Sequence, residues 1–316
     1  MLTPTLLDVL RCPVCGSPLA AGESRLECAS CGGAYAVEDG MPRLLDDRLP
    51  GIREKRAEIA GWVELARSQD WYRADDEVDA ALPFLNRDLG WEDKNWGASE
   101  HSFSLLLERY VRPGSRVLEV GAAKCWGAQH LVPLGCDYIG ADILDDAVIG
   151  LGRGAFYAER VGPFERVQAD GEHLPFRAGT FDLTYCVATL HHALDLGAMV
   201  REMARVTRPG GVVAALNEGT RAPGKSGDNA EQSEERALGI NEHVHTLWAY
   251  LWAFTRAGLR VRRVEQAEGY GELARRNVAG KLLRLPGGRA WSMLWAQNVY
   301  GYGGVSIYAR RAVGPR

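Results

Sequence analysis

From about residue 102 onward the chain alternates short apolar runs with amphipathic stretches of helical period. The runs Arg116–Gly121, Tyr138–Ala141, Glu165–Ala169, Phe181–Val187 and Val212–Leu216 are short, rich in β-branched and aromatic residues, and bounded by Gly, Asp or Pro. Each predicts a strand. Between them the pattern predicts a helix over about residues 126–133, a short one opened by Asp145, and one over Leu196–Val206 that is ended by Pro209-Gly210-Gly211. A further helix over His243–Ala257 stops at Gly258, and Arg260–Val264 and Val305–Ala309 complete the set of strands. This alternation implies an α/β fold with an open, mostly parallel seven-stranded sheet and helices on both faces.

The first hundred residues read differently. Residues 1–48 are rich in Cys, Gly and Pro, with short strand-like pieces at Leu26–Cys28 and Ala34–Val37. Residues 52–67 carry Ile52, Ile59, Trp62, Val63 and Ala66 at helical spacing and predict a connecting helix. Residues 68–100 hold Trp71, Tyr72, Phe84, Trp91 and Trp96 in no regular pattern, and a helix runs from Ser102 to the turn at Pro113-Gly114. The expected organisation is three parts: a metal-binding ribbon over 1–48, a helical linker with a lid over 49–101, and a catalytic domain over 102–316. The ribbon and the catalytic domain are each expected to have their own stabilising centre.

The ribbon expectation rests on Cys12-Pro-Val-Cys15 and Cys28-Ala-Ser-Cys31, two C-x2-C knuckles separated by twelve residues. Two tight turns each deliver a pair of sulfurs, and four thiolates close a tetrahedral zinc site with no open position for chemistry. The zinc is therefore structural. A redox C-x-x-C needs one pair rather than two. The remaining cysteines, Cys125, Cys136 and Cys186, fall in apolar pattern and read as buried thiols. The stretch from Leu6 to Leu45 resembles the small zinc-ribbon proteins found beside methyltransferases. The resemblance is carried by Leu10-Arg-Cys-Pro-Val-Cys15, the second knuckle, and Tyr35 followed by Asp39-Gly-Met-Pro42.

Composition adds bounds. Hydrophobic residues make up 46% and charged residues 25% of 316 positions, the mix of a soluble globular chain. No apolar run approaches membrane-spanning length, and the start lacks a basic region before an apolar one, so a cytoplasmic protein is expected. The net charge of −4 hides a basic stretch: residues 256–316 sum to +9 and the rest to −13. An acidic bulk disfavours a general nucleic-acid binder, and residues 1–48, at −3, disfavour phosphate contact by the ribbon.

The run Arg116-Val-Leu-Glu-Val-Gly-Ala-Ala-Lys-Cys125 is a strand entering a small-residue turn before a helix, the arrangement that brings backbone N–H groups to a nucleotide. Asp142 ends the second strand 23 residues beyond Glu119, the interval of a ribose-binding carboxylate. Ala169-Asp-Gly-Glu172 closes the third strand. Then come Leu174-Pro-Phe176, Gly179-Thr-Phe-Asp182, Val187-Ala-Thr-Leu-His-His192 and Arg208-Pro-Gly-Gly211. In this order the motifs of residues 102–217 resemble class I S-adenosylmethionine-dependent methyltransferases. The resemblance implies a Rossmann-like fold and S-adenosylmethionine as cofactor. It also implies roles: Glu119, Gly121 and Ala123 near the methionine end, Asp142 on the ribose, Asp170 and Gly171 at the adenine, Val187 and Ala188 along the cofactor. A nicotinamide dehydrogenase would share the first turn but not the Asp170 or Pro209-Gly-Gly211 motifs. One departure stands out: where the family has Gly-x-Gly-x-Gly, this chain has Gly121, Ala123 and Cys125. Either the turn is rearranged or the helix sits further out.

For catalysis His191 and His192 follow the fourth strand, and His243 and His245 precede a later helix. Any of them could serve as a base near pH 7, and the Asn217-Glu218 pair could face the acceptor. Arg275, Arg276, Lys281, Arg284 and Arg289 stand beside Leu282, Leu283, Trp291, Leu294 and Trp295. That basic amphipathic stretch could receive a phosphorylated or lipid-linked substrate, or simply be a solvated helix. The expected activity is methyl transfer to a small molecule or glycan, anionic if the basic stretch receives it. The alternatives are an RNA methyltransferase with an N-terminal zinc finger and a non-catalytic scaffold whose ribbon recruits a protein partner.

Overall fold

The computed structural model describes residues 2–225, 230–268, 277–300 and 304–313. Helix α1 (Pro4–Val9) opens the chain with Thr3 as N-cap, its hydroxyl accepting from the Leu6 N–H at 3.1 Å. Strands β1 (Ala20–Ala21), β2 (Arg25–Glu27), β3 (Ala34–Glu38) and β4 (Met41–Pro42) then form a small antiparallel sheet in chain order. Helix α2 (Ile52–Ser68) follows as the periodicity predicts.

Residues 68–100 are more regular than their pattern suggests. They contain α3 (Asp76–Ala81), α4 (Leu85–Leu89) and the start of α5 (Lys94–Arg109), which begins eight residues before Ser102. The helices α3 and α4 are too short to display a period, but α3 and α5 are opened by Asp75 and Asp93, whose carboxylates accept from the N–H groups of Val78 and Trp96.

The large sheet is built from β5 (Arg116–Val120), β6 (Asp137–Asp142), β7 (Glu165–Gln168), β8 (Phe181–Val187), β9 (Thr207–Gly219), β10 (Leu259–Gln266) and β11 (Gly304–Arg311), in the order β10-β11-β9-β8-β5-β6-β7. Only β11 is antiparallel to its neighbours. The helices between strands are α6 (Ala128–Leu131), α7 (Gly154–Val161), α8 (Leu196–Val206), α9 (Ala230–Ala237), α10 (Leu247–Arg256), α11 (Asn277–Arg284) and α12 (Gly288–Trp295). The fold is the expected Rossmann-like one, with several local corrections. Asp145 opens no helix; the next carboxylate, Asp146, instead accepts from the N–H groups of Val148 and Ile149 and makes a turn, so α7 starts only at Gly154. Helix α10 starts at Leu247 rather than His243, because the Thr246 hydroxyl caps it. Strand β9 starts at Thr207 and passes through Pro209-Gly210-Gly211 as an irregularity against β8, with Gly210 at φ +79°.

The ribbon does not stand apart from the sheet. Leu44 donates its N–H to the carbonyl of Gln168 on the outer edge of β7, and the N–H groups of Arg11 and Arg177 donate to the carbonyls of Pro175 and Val9. Leu6, Val9, Leu10 and Leu44 are buried in one apolar cluster with Val167, Leu174 and Phe176. The ribbon thus covers an edge strand whose free N–H and C=O groups would otherwise face solvent. The ribbon's apolar residues, with Cys12 and Cys28, share one cluster with residues of the sheet.

Candidate functional site

The four thiols of the ribbon converge. Cys12 and Cys31 Sγ are 3.5 Å apart, as are those of Cys15 and Cys28, and all four lie within 4.8 Å of one another. A tetrahedron with metal–sulfur bonds of about 2.3 Å has edges of about 3.8 Å. The set therefore fits a zinc ion with little adjustment. Tyr35 supports it from behind: its hydroxyl is 3.2 Å from Cys12 Sγ and 3.0 Å from Asp46 Oδ2. The three other cysteines are buried thiols, as their setting predicts.

At the carboxyl ends of the parallel strands lies a cavity of about 580 Å³. Its floor is the turn after β5. Gly121 is at φ +71°, and a Cβ there would run into the Thr189 side chain. Ala123 and Cys125 also have positive φ, 43° and 62°. The chain therefore keeps a glycine-like path through residues that are not glycine, at a cost of roughly 1–2 kcal/mol each. Cys125 is fully buried, with its sulfur directed at the bare backbone of Gly140 on β6, where a Cβ would lie 2.8 Å from it. The helix after the turn begins only at Ala128. Asp142 braces this path. Its Oδ2 accepts from the Ala123 N–H at 2.7 Å and its Oδ1 from the Leu144 N–H at 2.8 Å, while a face of the residue still borders the cavity.

Gly121, Ala123, Asp142, Asp170, Gly171, Val187 and Ala188 all line this one space, so seven of the eight sequence-derived cofactor candidates come together. Glu119 does not join them. Strand alternation turns its side chain to the opposite face of β5, where it is 1% exposed, accepts a hydrogen bond from the Tyr138 hydroxyl and lies under Gly127. Burial drives its pKa up to about 8, against the opposing hydrogen bond of Tyr138.

Helix α2 supplies what the sequence pattern did not reveal. Lys55 and Glu58 share its buried face with Ile52 and line the cavity together with Trp62. Lys55 Nζ lies 3.1 Å from Glu172 Oε1, 4.0 Å from Asp170 Oδ1 and 3.9 Å from Glu58 Oε2. Burial opposes its charge, but Asp170, Glu58 and Glu172 outweigh that and raise its pKa. Glu58 is pushed up to about 8, first by burial and then by Asp142 and Asp170, with Lys55 only partly offsetting them. On the other side, the fully buried Asp79 of α3 pairs with Lys124 at 2.8 Å and Arg153 at 2.7 Å, fastening the short helices to the sheet. Trp71, Trp91 and Trp96 complete an aromatic wall. A helical period that includes a Lys and a Glu among Ile52, Ile59 and Trp62 was the available signal for the α2 contribution.

Of the four histidines only His192 borders the cavity. His191 Nδ1 is 2.9 Å from Oε2 of Glu218, which is wholly buried and also accepts from the N–H groups of Thr189 and Leu190. Burial disfavours charge on both partners, yet their mutual hydrogen bond and attraction win: the pKa of His191 rises and that of Glu218 falls. Burial, and then the neighbouring His191 charge, hold the pKa of His192 well below its ordinary value. Its Nδ1 lies 2.7 Å from the Asn241 carbonyl, which can only accept, so Nδ1 carries the proton and Nε2 the lone pair. Glu242 Oε2 approaches His191 Nε2 at 3.7 Å and His192 Nδ1 at 3.5 Å. His191, His192 and Glu242 each offer one ligand atom, and these lie within 4.8 Å of one another. His243 is exposed, and His245 packs against the Tyr250 ring at 5.4 Å. Asn217 is turned to Asn95 and Ser99.

Residues 118–215 match the family described as methyltransferase domain, and residues 3–40 match the Trm112p-like protein family. The chain is 26% identical over 193 residues to sterol 24-C-methyltransferase ERG6B of Gibberella zeae, covering 51% of this chain and 50% of that protein. It is 29% identical over 185 residues to the demethylmenaquinone methyltransferase of Mycolicibacterium gilvum, covering 55% of this chain and 76% of that protein. A UPF0434 protein of Alcanivorax borkumensis is 41% identical over 59 residues, 18% of this chain and 95% of that protein. The chain spans half or less of the length of the first curated relatives it matches.

Proposed function

For a chain that carries a methyltransferase domain over residues 118–215 and belongs, through its ribbon, to the Trm112p-like family, we propose S-adenosylmethionine-dependent methyl transfer to a small, largely apolar acceptor. The observation that carries this reading is the division of one cavity. Asp142, Asp170 and Gly121 line it from the strand ends, and Trp62, Trp71, Trp91 and Trp96 line it from the segment that runs from α2 to the start of α5. When bound, S-adenosylmethionine supplies an electrophilic methyl group on a sulfonium.

The residues of the chain then have distinct tasks. Asp142, already oriented by the Ala123 and Leu144 N–H groups, would hold the ribose hydroxyls through its remaining lone pairs. Asp170, fixed by His173 and the Glu172 N–H, would accept from the adenine amino group, with Gly171 beside it. Glu119 acts from the other face of the sheet, shaping the turn through Gly127 rather than touching the cofactor. The tryptophans exclude water and orient an apolar acceptor by stacking and contact. His192, neutral with a free Nε2 lone pair, is the candidate base for a hydroxyl acceptor, and His191 with Glu218 positions it. Both relatives with small-molecule names, the sterol and demethylmenaquinone enzymes, support an apolar acceptor over a glycan. The RNA alternative loses ground because the ribbon sits on the β7 edge while the basic C-terminal stretch lies beyond the β10–β11 edge, across the whole sheet.

The test is titration calorimetry of S-adenosylmethionine into the protein and into Asp142→Ala. Affinity is expected to fall by about 1–3 kcal/mol. Equal affinity would remove the ribose assignment, and no binding by either protein would remove the activity.

A further inference from the structure

We propose that α10, α11 and α12 form a docking face for an anionic bilayer surface, placed so that the cavity opens toward the lipid. Each helix turns an apolar stripe outward. In α10 these are Trp248 and Trp252, in α11 Val278 and Leu282, with Leu285 just past its end, and in α12 Trp291 and Trp295, each pair four residues apart on one helical face. The exposures are large: 65% for Trp252, 75% for Val278 and 74% for Trp291. Six of the thirteen exposed large apolar side chains among the described residues lie on these helices, and a seventh, Leu285, directly follows α11. An outward stripe on three neighbouring helices is not what a solvated surface requires, since a solvated helix turns its apolar side to the core.

The three helices form one unit. Met293 of α12 is buried with Leu247 of α10, α11 packs on α12, and Trp248 Nε1 donates to Asn298 Oδ1 at 3.0 Å.

Charge chooses the partner. Neither α10 nor residues 277–298 contain a single Asp or Glu, whereas Lys281, Arg284 and Arg289 are exposed beside the apolar stripes and Arg256 lies over the Trp252 ring at 5.4 Å. Tryptophan, leucine and basic side chains on one face are the composition of a helix that lies in a bilayer interface: the indoles sit at headgroup depth and the cations meet lipid phosphates. Arg275 and Arg276 fall outside the described residues. No helix among the described residues is long and apolar enough to cross a membrane, so the contact is to one leaflet.

Topology places this face on the same carboxyl edge of the sheet as the site. Strand β10 runs parallel to β9 and ends at Gln266 on the carboxyl edge of the sheet; β11 starts from that same edge at Gly304. Helices α11 and α12, which fall between these two strand ends in the chain, are therefore set toward the edge where the cavity opens. The first turn of α10 starts there too, with Thr220 pairing to His245 just before it. An acceptor dissolved in the leaflet would reach the aromatic wall without crossing bulk water. That last consequence rests on the proposed methyl transfer; the docking itself does not.

Flotation of the full chain with vesicles tests it. Binding is expected to phosphatidylcholine vesicles containing phosphatidylglycerol, to weaken with added salt, and to be much weaker to phosphatidylcholine alone. Trp291→Ser with Trp295→Ser should reduce binding at least tenfold. Lys281→Glu with Arg284→Glu should reduce it by roughly fivefold or more for each cation lost. S-adenosylmethionine affinity, measured on every variant, should stay unchanged, since these side chains lie outside the cavity, and it reports folding independently of docking. The proposal is overturned if the chain floats with neither vesicle, or if both double variants bind like the parent. It is equally overturned if the chain sediments as a dimer that the tryptophan variant dissociates, which would assign the face to a second copy of the chain.

Discussion

Replacing Lys55 by Met removes the one cation in contact with three buried carboxyl groups while keeping most of the side chain's length. At pH 7 the three do not suffer equally. Glu58, with a pKa of about 8, is already protonated and loses little. Asp170, 4.0 Å from the ammonium, loses a strong attraction but keeps its hydrogen bonds from the Glu172 N–H and His173. Glu172, 3.1 Å away and 8% exposed, loses its direct ion pair, although the N–H groups of Leu194 and Asp195 continue to hold it. Breaking a buried pair by removing one partner costs about 3–5 kcal/mol, and the two retained N–H donors place this case near the lower end, at about 3 kcal/mol. The assay is urea unfolding of zinc-loaded protein at two pH values. Stranded carboxylates are relieved by protonation, so the deficit of Lys55→Met should shrink as pH falls from neutral toward the carboxylate range. Adding Glu172→Gln should restore part of the loss, with a coupling of at least about 1 kcal/mol between the two sites. A deficit under about 1 kcal/mol, or one that is the same at both pH values, would show that Lys55 is not the electrostatic centre described.

Other outcomes follow from the same geometry. Metal analysis after purification without chelators should find one zinc per chain, lost in Cys12→Ser; because the ribbon shares its core with β7, that variant should lower the melting temperature of the entire chain, and an unchanged sheet transition would contradict the shared core. Ala123→Gly should stabilise the protein by about 0.5–1 kcal/mol by releasing a positive φ, whereas Cys125→Gly, at a similar φ, should destabilise it by emptying a fully buried site; equal effects in unfolding experiments would refute the conformational reading. Glu119 has a folded pKa of about 8 against 4.5 unfolded, so its folded state holds the proton more tightly. Its contribution is full at low pH and declines as pH rises from 4.5 to 8. Glu119→Gln should flatten that decline in a stability–pH profile, and an unaltered profile would mean the carboxyl is not buried as described. With a hydroxyl acceptor, His192→Gln should slow methyl transfer by about 10²–10⁴ while leaving cofactor affinity intact; full activity would leave positioning alone to carry the reaction.

Much of this protein is written locally. Two C-x2-C knuckles bring four sulfurs together because each turn acts within a few residues. The β5 turn, Asp142 and Asp170 are legible because the sheet's parallel order puts every strand's carboxyl end at one edge, so motifs far apart in sequence meet without further instruction. The short strands were equally plain from their apolar runs. What the tertiary structure alone decided has a common physical character: it depends on which face of an element meets which neighbour. Glu119 belongs to the motif but turns away, because alternate residues of a strand face opposite sides. Lys55 and Glu58 look like solvated helix charges until α2 is laid across the cavity, where the carboxylates of another part of the chain make the burial of Lys55 tolerable and hold Glu58 toward its protonated form. Ala123 and Cys125 keep a glycine path, which no residue type announces, since the Asp142 carboxylate and the space over Gly140 hold the strained backbone in place. The ribbon's role as cover for the β7 edge likewise required both partners, because an edge becomes an interface only when something is packed against it.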